Sequence, residues 1–190
     1  MDVKETQMKF LVKAVLLSLI CSGCSYQVFP SEVLIGVDHK FDFARWRMIP
    51  NETQPTRVEL GGRIVETQTI GGTIMIVTAE LPIVRYPAYG PKQGKSKGEF
   101  AISYQGEVDK RYLHSGNRIM VVGITRGTKM VPVDDVVRSL PVIEAHCIHV
   151  WKTGGTDIAD YASSGAGYGV LEEETFCAST GPPSGKKIPA

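Results

Sequence analysis

The sequence has no surplus of either charge, few cysteines and no long apolar run. Its 190 residues carry 21 Lys and Arg against 20 Asp and Glu. Binding nucleic acid through its phosphates needs Lys and Arg gathered on one face, and a balanced chain argues against it. Apolar stretches stop well short of the roughly 20 residues that a membrane-spanning helix requires. Catalytic groupings are missing too. Ser163 and Ser164 lack the strand-turn-helix setting of a nucleophile elbow. Gly165, Gly167 and Gly169 echo a dinucleotide loop without the strand and helix that would make it one. Asp134-Asp135 and Glu172–Glu174 read as solvated acidic runs. No base, nucleophile and orienting group fall together, so no catalytic residue and no cofactor is expected.

His146, Cys147 and His149 are the nearest approach to a metal site. A zinc site takes about four ligands in suitable directions. On a strand, neighbouring side chains point to opposite faces. His146 therefore diverges from both Cys147 and His149. Those two share a face, but no second cluster completes a set. The reading is two strand histidines, one packed near Trp151, and no metal.

What is present begins with Met8–Cys24, MKFLVKAVLLSLICSGC. Lys9 and Lys13 form a short positive region, Ala14–Ile20 an apolar run, and Ser22-Gly23 precede Cys24. A positive start, an apolar core and small residues before a cut mark a secretory signal. A cysteine directly after two small residues resembles the bacterial lipobox, in which the thiol receives a diacylglycerol and the signal is removed in front of it. Cys21 stands where that pattern usually has Leu. It is a poorer acceptor than Cys24, because bulky Ile20 would precede the cut. Asp2 and Glu5 are unusual ahead of such a signal, and Met8 is an alternative start.

The expected layout is therefore a signal over residues 1–23, lipidation at Cys24, and a tether and arm over 24–40. Removing residues 1–23 takes away three Lys and two acidic residues, which leaves 18 of each sign. Ser25 is not the Asp that tends to retain lipoproteins in the inner membrane, which points to the outer membrane. The partners expected are the membrane, through the lipid, and other envelope proteins, not nucleic acid. Beyond the inner membrane, Cys147 and Cys177 can form one disulfide; the alternative is two separate thiols.

Asp42 is placed to cap a short helix over Phe43–Ile49, ended by Pro50. Phe43 and Trp46 share one face, and Trp46 reads as a core anchor. Strands follow. The first is Thr56–Thr69, with Gly61-Gly62 read as a bulge or bend. The second is Thr73–Pro82, apolar on both faces and therefore central or curled. Glu99–Tyr104, Arg118–Thr125 and Leu140–Trp151 complete five, with a turn at Arg126-Gly127 and a loop or edge over Pro132–Val136. Gly106–Ser115 has room for a single helical turn. Five such strands with a long third connection suggest an all-β domain over residues 41–152, a small five-stranded OB-like Greek-key barrel with one or two short helices. Residues 153–190 are rich in Gly, Ser and Pro and read as a mostly disordered tail, pinned by Cys177.

Barrels of this type bind oligomers across one strand face and its loops. The loop over residues 86–97 carries Tyr86 and Tyr89 with Lys92, Lys95 and Lys97, and the strand Phe100–Tyr104 follows it. If the domain is a binding module for a protein or an oligomer, Tyr86, Tyr89 and Tyr104 are the candidate contact residues. The bland reading of the loop is a solvated connection.

Several segments recur together: Cys24, VFP at Val28–Pro30, FARWRMIP at Phe43–Pro50, RVELGGRIVET at Arg57–Thr67, VRYP at Val84–Pro87, RIMVVGITRGT at Arg118–Thr128 and PVIEAHCIHVW at Pro141–Trp151. In this order and spacing they resemble the Slp family of Gram-negative outer-membrane lipoproteins, from Cys24 to Trp151. The resemblance implies a starvation- or stationary-phase-associated lipoprotein facing the periplasm. It implies no catalytic residue, and its one residue-level function, the lipidated cysteine, maps to Cys24.

Overall fold

In this computed structural model, residues 27–83, 90–92, 94–155 and 171–178 are described. Cys21, Cys24, Tyr86 and Tyr89 lie outside them. Six strands carry the architecture: β1 Arg57–Ile70, β2 Thr73–Leu81, β3 Glu99–Tyr104, β4 Arg118–Val133, β5 Val136–Trp151 and β6 Glu173–Cys177. Two short helices precede them, α1 Ser31–Leu34 and α2 Phe43–Met48, and one 3₁₀ turn, Lys110–Tyr112, lies between β3 and β4. The all-β expectation with short helices holds.

The ladders form a cycle. β1 pairs with β2, β2 with β3, β3 in parallel with β5, β5 with β4, and β4 with β1. Each of these five strands thus has a partner on both sides. Alternating residues point inward, as strand geometry requires. Val58, Leu60 and Ile64, then Ile76, then Phe100, Ile102 and Tyr104, then Ile119 and Val121, fill one core. On β5 the inward series jumps from Ala145 to Ile148. Val122 pairs with Cys147 and Gly123 with Ala145, so His146 is an extra residue that resets the alternation.

Helix α2 seats one end of this core. The Asp42 carboxylate accepts from the Arg45 amide at 3.1 Å, the cap expected from sequence. Phe43 and Trp46 are buried, their rings 6.0 Å apart edge to face. The Trp46 indole donates to the Arg126 carbonyl at 3.3 Å, which fastens the helix to β4. Trp46 is a core anchor, as read.

Two further clusters sit outside the cycle. Met75 and Val77 of β2 and Ala101 of β3 pack under Val131, Val133, Leu140 and Val142. The far half of the β4–β5 hairpin therefore folds back over β2 and β3. This explains why β2 is apolar on both faces. Cross-contacts fix the hairpin in place: Arg138 meets Glu99 at 3.0 Å, and the Gln68 amide donates to the Pro132 carbonyl at 2.8 Å. The third cluster is the N-terminal arm. Phe29, with Val28, Val33, Leu34 and Val37, covers Met120, Val122, Cys147 and Trp151. From Val28 onward the segment is packed rather than a free tether.

Three local expectations are corrected. Arg126-Gly127 is not a turn. β4 runs through it with a register shift between Thr125 and Thr128, and the reversal comes at Asp134-Asp135, both at positive φ (47° and 64°). Two left-handed residues suit the twist of a tight hairpin, and Asp is one of the side chains that tolerate them. Arg126-Gly127 reads as a turn because Gly commonly marks one. Here Gly127 leaves room for the Asn51 amide oxygen, which accepts from the Thr128 amide at 2.9 Å; a Cβ there would displace that side chain. Second, the pairing register passes unbroken through Gly61-Gly62, and the irregularity lies between Ile64 and Glu66. A Cβ on Gly62 would collide with Thr78 and the Ala79 carbonyl, so the close approach of β2 demands glycine there. Third, the segment after residue 152 contains ordered structure, since Glu173–Cys177 pairs along Cys147–Trp151 as β6.

Candidate functional site

β3 leaves β5 after the Tyr104–Ala145 pair, and β6 takes up the same edge from Cys147. The step between them lies at His146. A depression of about 300 Å³ opens there, lined by the end of β3, the middle of β4 and β5, Arg57 of β1 and Ala178 after β6. A second, of about 270 Å³, continues along β4 to Lys129. Ser103, Gln105, Arg126 and Glu144 line both, so the two make one groove.

Its chemistry is that of hydrogen-bond donors with excess positive charge. Arg57 is positioned by the arm, through a donor bond of 2.9 Å to the Val33 carbonyl. Its Nε is buried and meets no acceptor. Arg126 holds Glu144 with two contacts, at 2.8 Å and 2.6 Å. Lys129 is exposed at the far end. Three cationic side chains thus face one carboxylate. His146 and Glu144 reach the groove because they flank inward-facing Ala145 on an outward face. Among the described residues, no group of three or more His, Cys, Asp and Glu is placed to hold a metal.

The contact residues read from sequence do not assemble here. Tyr104 is fully buried in the core, its hydroxyl without a partner, and burial raises its pKa above the usual phenol value. Phe100, Ala101 and Ile102 are also at 0% exposure. Apart from Ser103, which is half-buried and lines the groove, the strand Phe100–Tyr104 is therefore closed to a ligand. One side is core, and the folded-back hairpin covers most of the other. Tyr86 and Tyr89 lie outside the described residues. Sequence reading missed Arg126 because it lay in an expected turn. Arg57 and His146 carry no local signal beyond their charge and register.

Next to the groove, β6 is tied to β5. The sulfurs of Cys147 and Cys177 are 2.02 Å apart. Two rungs on, His149 Nδ1 lies 2.6 Å from the Thr175 hydroxyl, and its Nε2 3.5 Å from a Glu173 carboxylate oxygen. His149 stacks edge-on against Trp151 at 4.2 Å, confirming that it is the packed histidine. Burial lowers its pKa below the usual 6.5, and the Glu173 carboxylate only partly offsets this. Phe176 reaches into the core and meets Tyr112 edge-on at 5.5 Å. Lys152 and Glu172 pair where the chain enters β6.

No curated protein and no solved structure shows significant similarity to this chain. A family model does: that of the outer membrane lipoprotein Slp family, over residues 21–172. The match takes in Cys24, α2 and strands β1 to β5, and stops one residue before β6. Spanning most of the sequence, from the cysteine at the end of the apolar leader through the whole cycle of ladders, it shows that the chain belongs to the outer membrane lipoprotein Slp family.

Proposed function

We propose that the protein is held to the outer membrane by a lipid on Cys24, faces the periplasm, and serves the envelope in a structural, starvation- or stress-associated role without catalysis. The observation that carries this is the position of Cys24. It follows a positive and apolar leader, lies within the family match, and precedes an arm packed on the body from Val28. We also infer that the five-strand cycle is an OB-type barrel, because the order β1-β2-β3-β5-β4 with one parallel pair is what a closed Greek-key sheet of five strands requires. Its residues 1–23 are a signal removed on export. Globomycin, which blocks the lipoprotein signal peptidase, should make an unprocessed precursor accumulate, and mass analysis of the mature N-terminus should find acylated Cys24. Unchanged processing with a lipid-free Cys24 would overturn the anchor.

A second reading, an envelope binding module, is supported by the groove. Its polar lining and its excess of cationic side chains suit a ligand better than a purely structural surface would. The module would work through this groove, to which β3 contributes Ser103, and not through Tyr104.

A further inference from the structure

Arg57, Arg126 and Lys129 reach the groove from β1 and β4, and Glu144 is the one carboxylate lining it. The charge left after the Arg126–Glu144 pair is about two positive units. Arg57 is held from behind by the Val33 carbonyl, and its buried Nε has no acceptor. Gln105 and Ser103 add neutral polar groups from the end of β3. Guanidinium groups offer several N–H donors in a fixed plane and recognise phosphate with directional, charge-assisted bonds.

We propose that this groove binds a phosphoryl group, with Arg57 and Arg126 as its principal contacts and Lys129 extending the site along β4. The proposal deepens the binding-module reading and is independent of lipid attachment. A phosphate monoester matches the site in charge: up to two negative units and three acceptor oxygens face an excess of about two positive units. A simple carboxylate offers one charge, which Glu144 already supplies to Arg126. The phosphoryl group could arrive on a monoester lipid headgroup of the same membrane, as in phosphatidic acid, or on a soluble phosphate ester.

The test uses the full-length protein in detergent, labelled at arginine nitrogen, with the Nε–H signals followed by NMR. Inorganic phosphate is added at constant ionic strength, and acetate serves as control. The Arg57 and Arg126 signals should shift saturably with phosphate and not with acetate. Arg57→Gln and Arg126→Gln should each weaken binding by about tenfold to a hundredfold, the range expected for losing a hydrogen bond to a charged group. Lys129→Gln, at an exposed position where folding is not at stake, should weaken it by a smaller factor. Nanodiscs containing phosphatidic acid, whose phosphate is a monoester, and nanodiscs of phosphatidylcholine alone, whose phosphate is a diester, separate the two sources. A larger shift on the former assigns a lipid headgroup; equal effects, with phosphate still saturating, assign a soluble ester. Shifts that rise linearly without saturating, that acetate reproduces, or that survive unchanged in all three variants would overturn the proposal.

Discussion

Cys147 and Cys177 stand opposite each other in the β5–β6 ladder, two rungs from the paired His149 and Thr175. The short strand β6 is therefore joined to the sheet at two successive rungs on one face, once through sulfur and once through a buried imidazole. Its Phe176, on the opposite face, plugs into the core where β3 has already turned away. Alone, a five-residue edge strand would gain little from its ladder. These links make it part of the body.

Reduction should loosen this strand. The two cysteines enclose a 30-residue separation, and closing such a loop restricts the unfolded chain. Loss of the link, by reductant or by Cys147→Ala with Cys177→Ala, should lower stability by about 2–4 kcal/mol. Thermal melts with and without a phosphine reductant read this directly. Coincident melts, together with two titratable free thiols under native oxidising conditions, would show that the pair is not bonded.

Mild acid should loosen the same region. The folded protein holds His149 neutral, its pKa lowered by burial below the ordinary 6.5, with Glu173 opposing more weakly. As pH falls through about 6.5, the unfolded chain takes up a proton that the folded chain refuses. Stability from this group is thus full above that value and declines below it, down to the folded pKa. Melting temperatures measured between pH 7.5 and 5.5 should fall more for the wild type than for His149→Gln. Equal slopes would assign the acid sensitivity elsewhere.

The folded-back hairpin should matter to stability out of proportion to its surface position. Met75 is buried beneath it, so Met75→Ala should cost about 2–5 kcal/mol in urea denaturation. Met130, on the outer side of the same hairpin, is 63% exposed, and Met130→Ala should change stability by no more than about 0.5 kcal/mol. Similar costs for the two would mean that the hairpin does not cover β2 in solution.

The sequence conveyed the parts of this fold that depend on short-range pattern. Alternation placed β1, β2, β3 and the second half of β5 within a residue or so, and Asp42 announced its helix three residues ahead of the amide it caps. It misled where a glycine serves a distant neighbour. Gly127 accommodates Asn51, 76 positions away, and so looked like a turn. That one error hid the long hairpin, and with it the burial of β3 on its second face and the placement of Arg126 in the groove. β6 was concealed for a different reason. Five residues with two glutamates have no intrinsic claim to a sheet, and they gain one only through Cys177, Thr175 and Phe176 meeting partners on β5 and in the core.

Phe29 is 1% exposed and lies five residues beyond Cys24. Five residues reach at most about 18 Å. If acyl chains are attached at Cys24, the first buried residue of the body is moored within that distance of the lipid, which restricts how the molecule can tumble above it. The N-terminal arm, which covers Met120, Val122, Cys147 and Trp151, would then be the part of the body held nearest the leaflet.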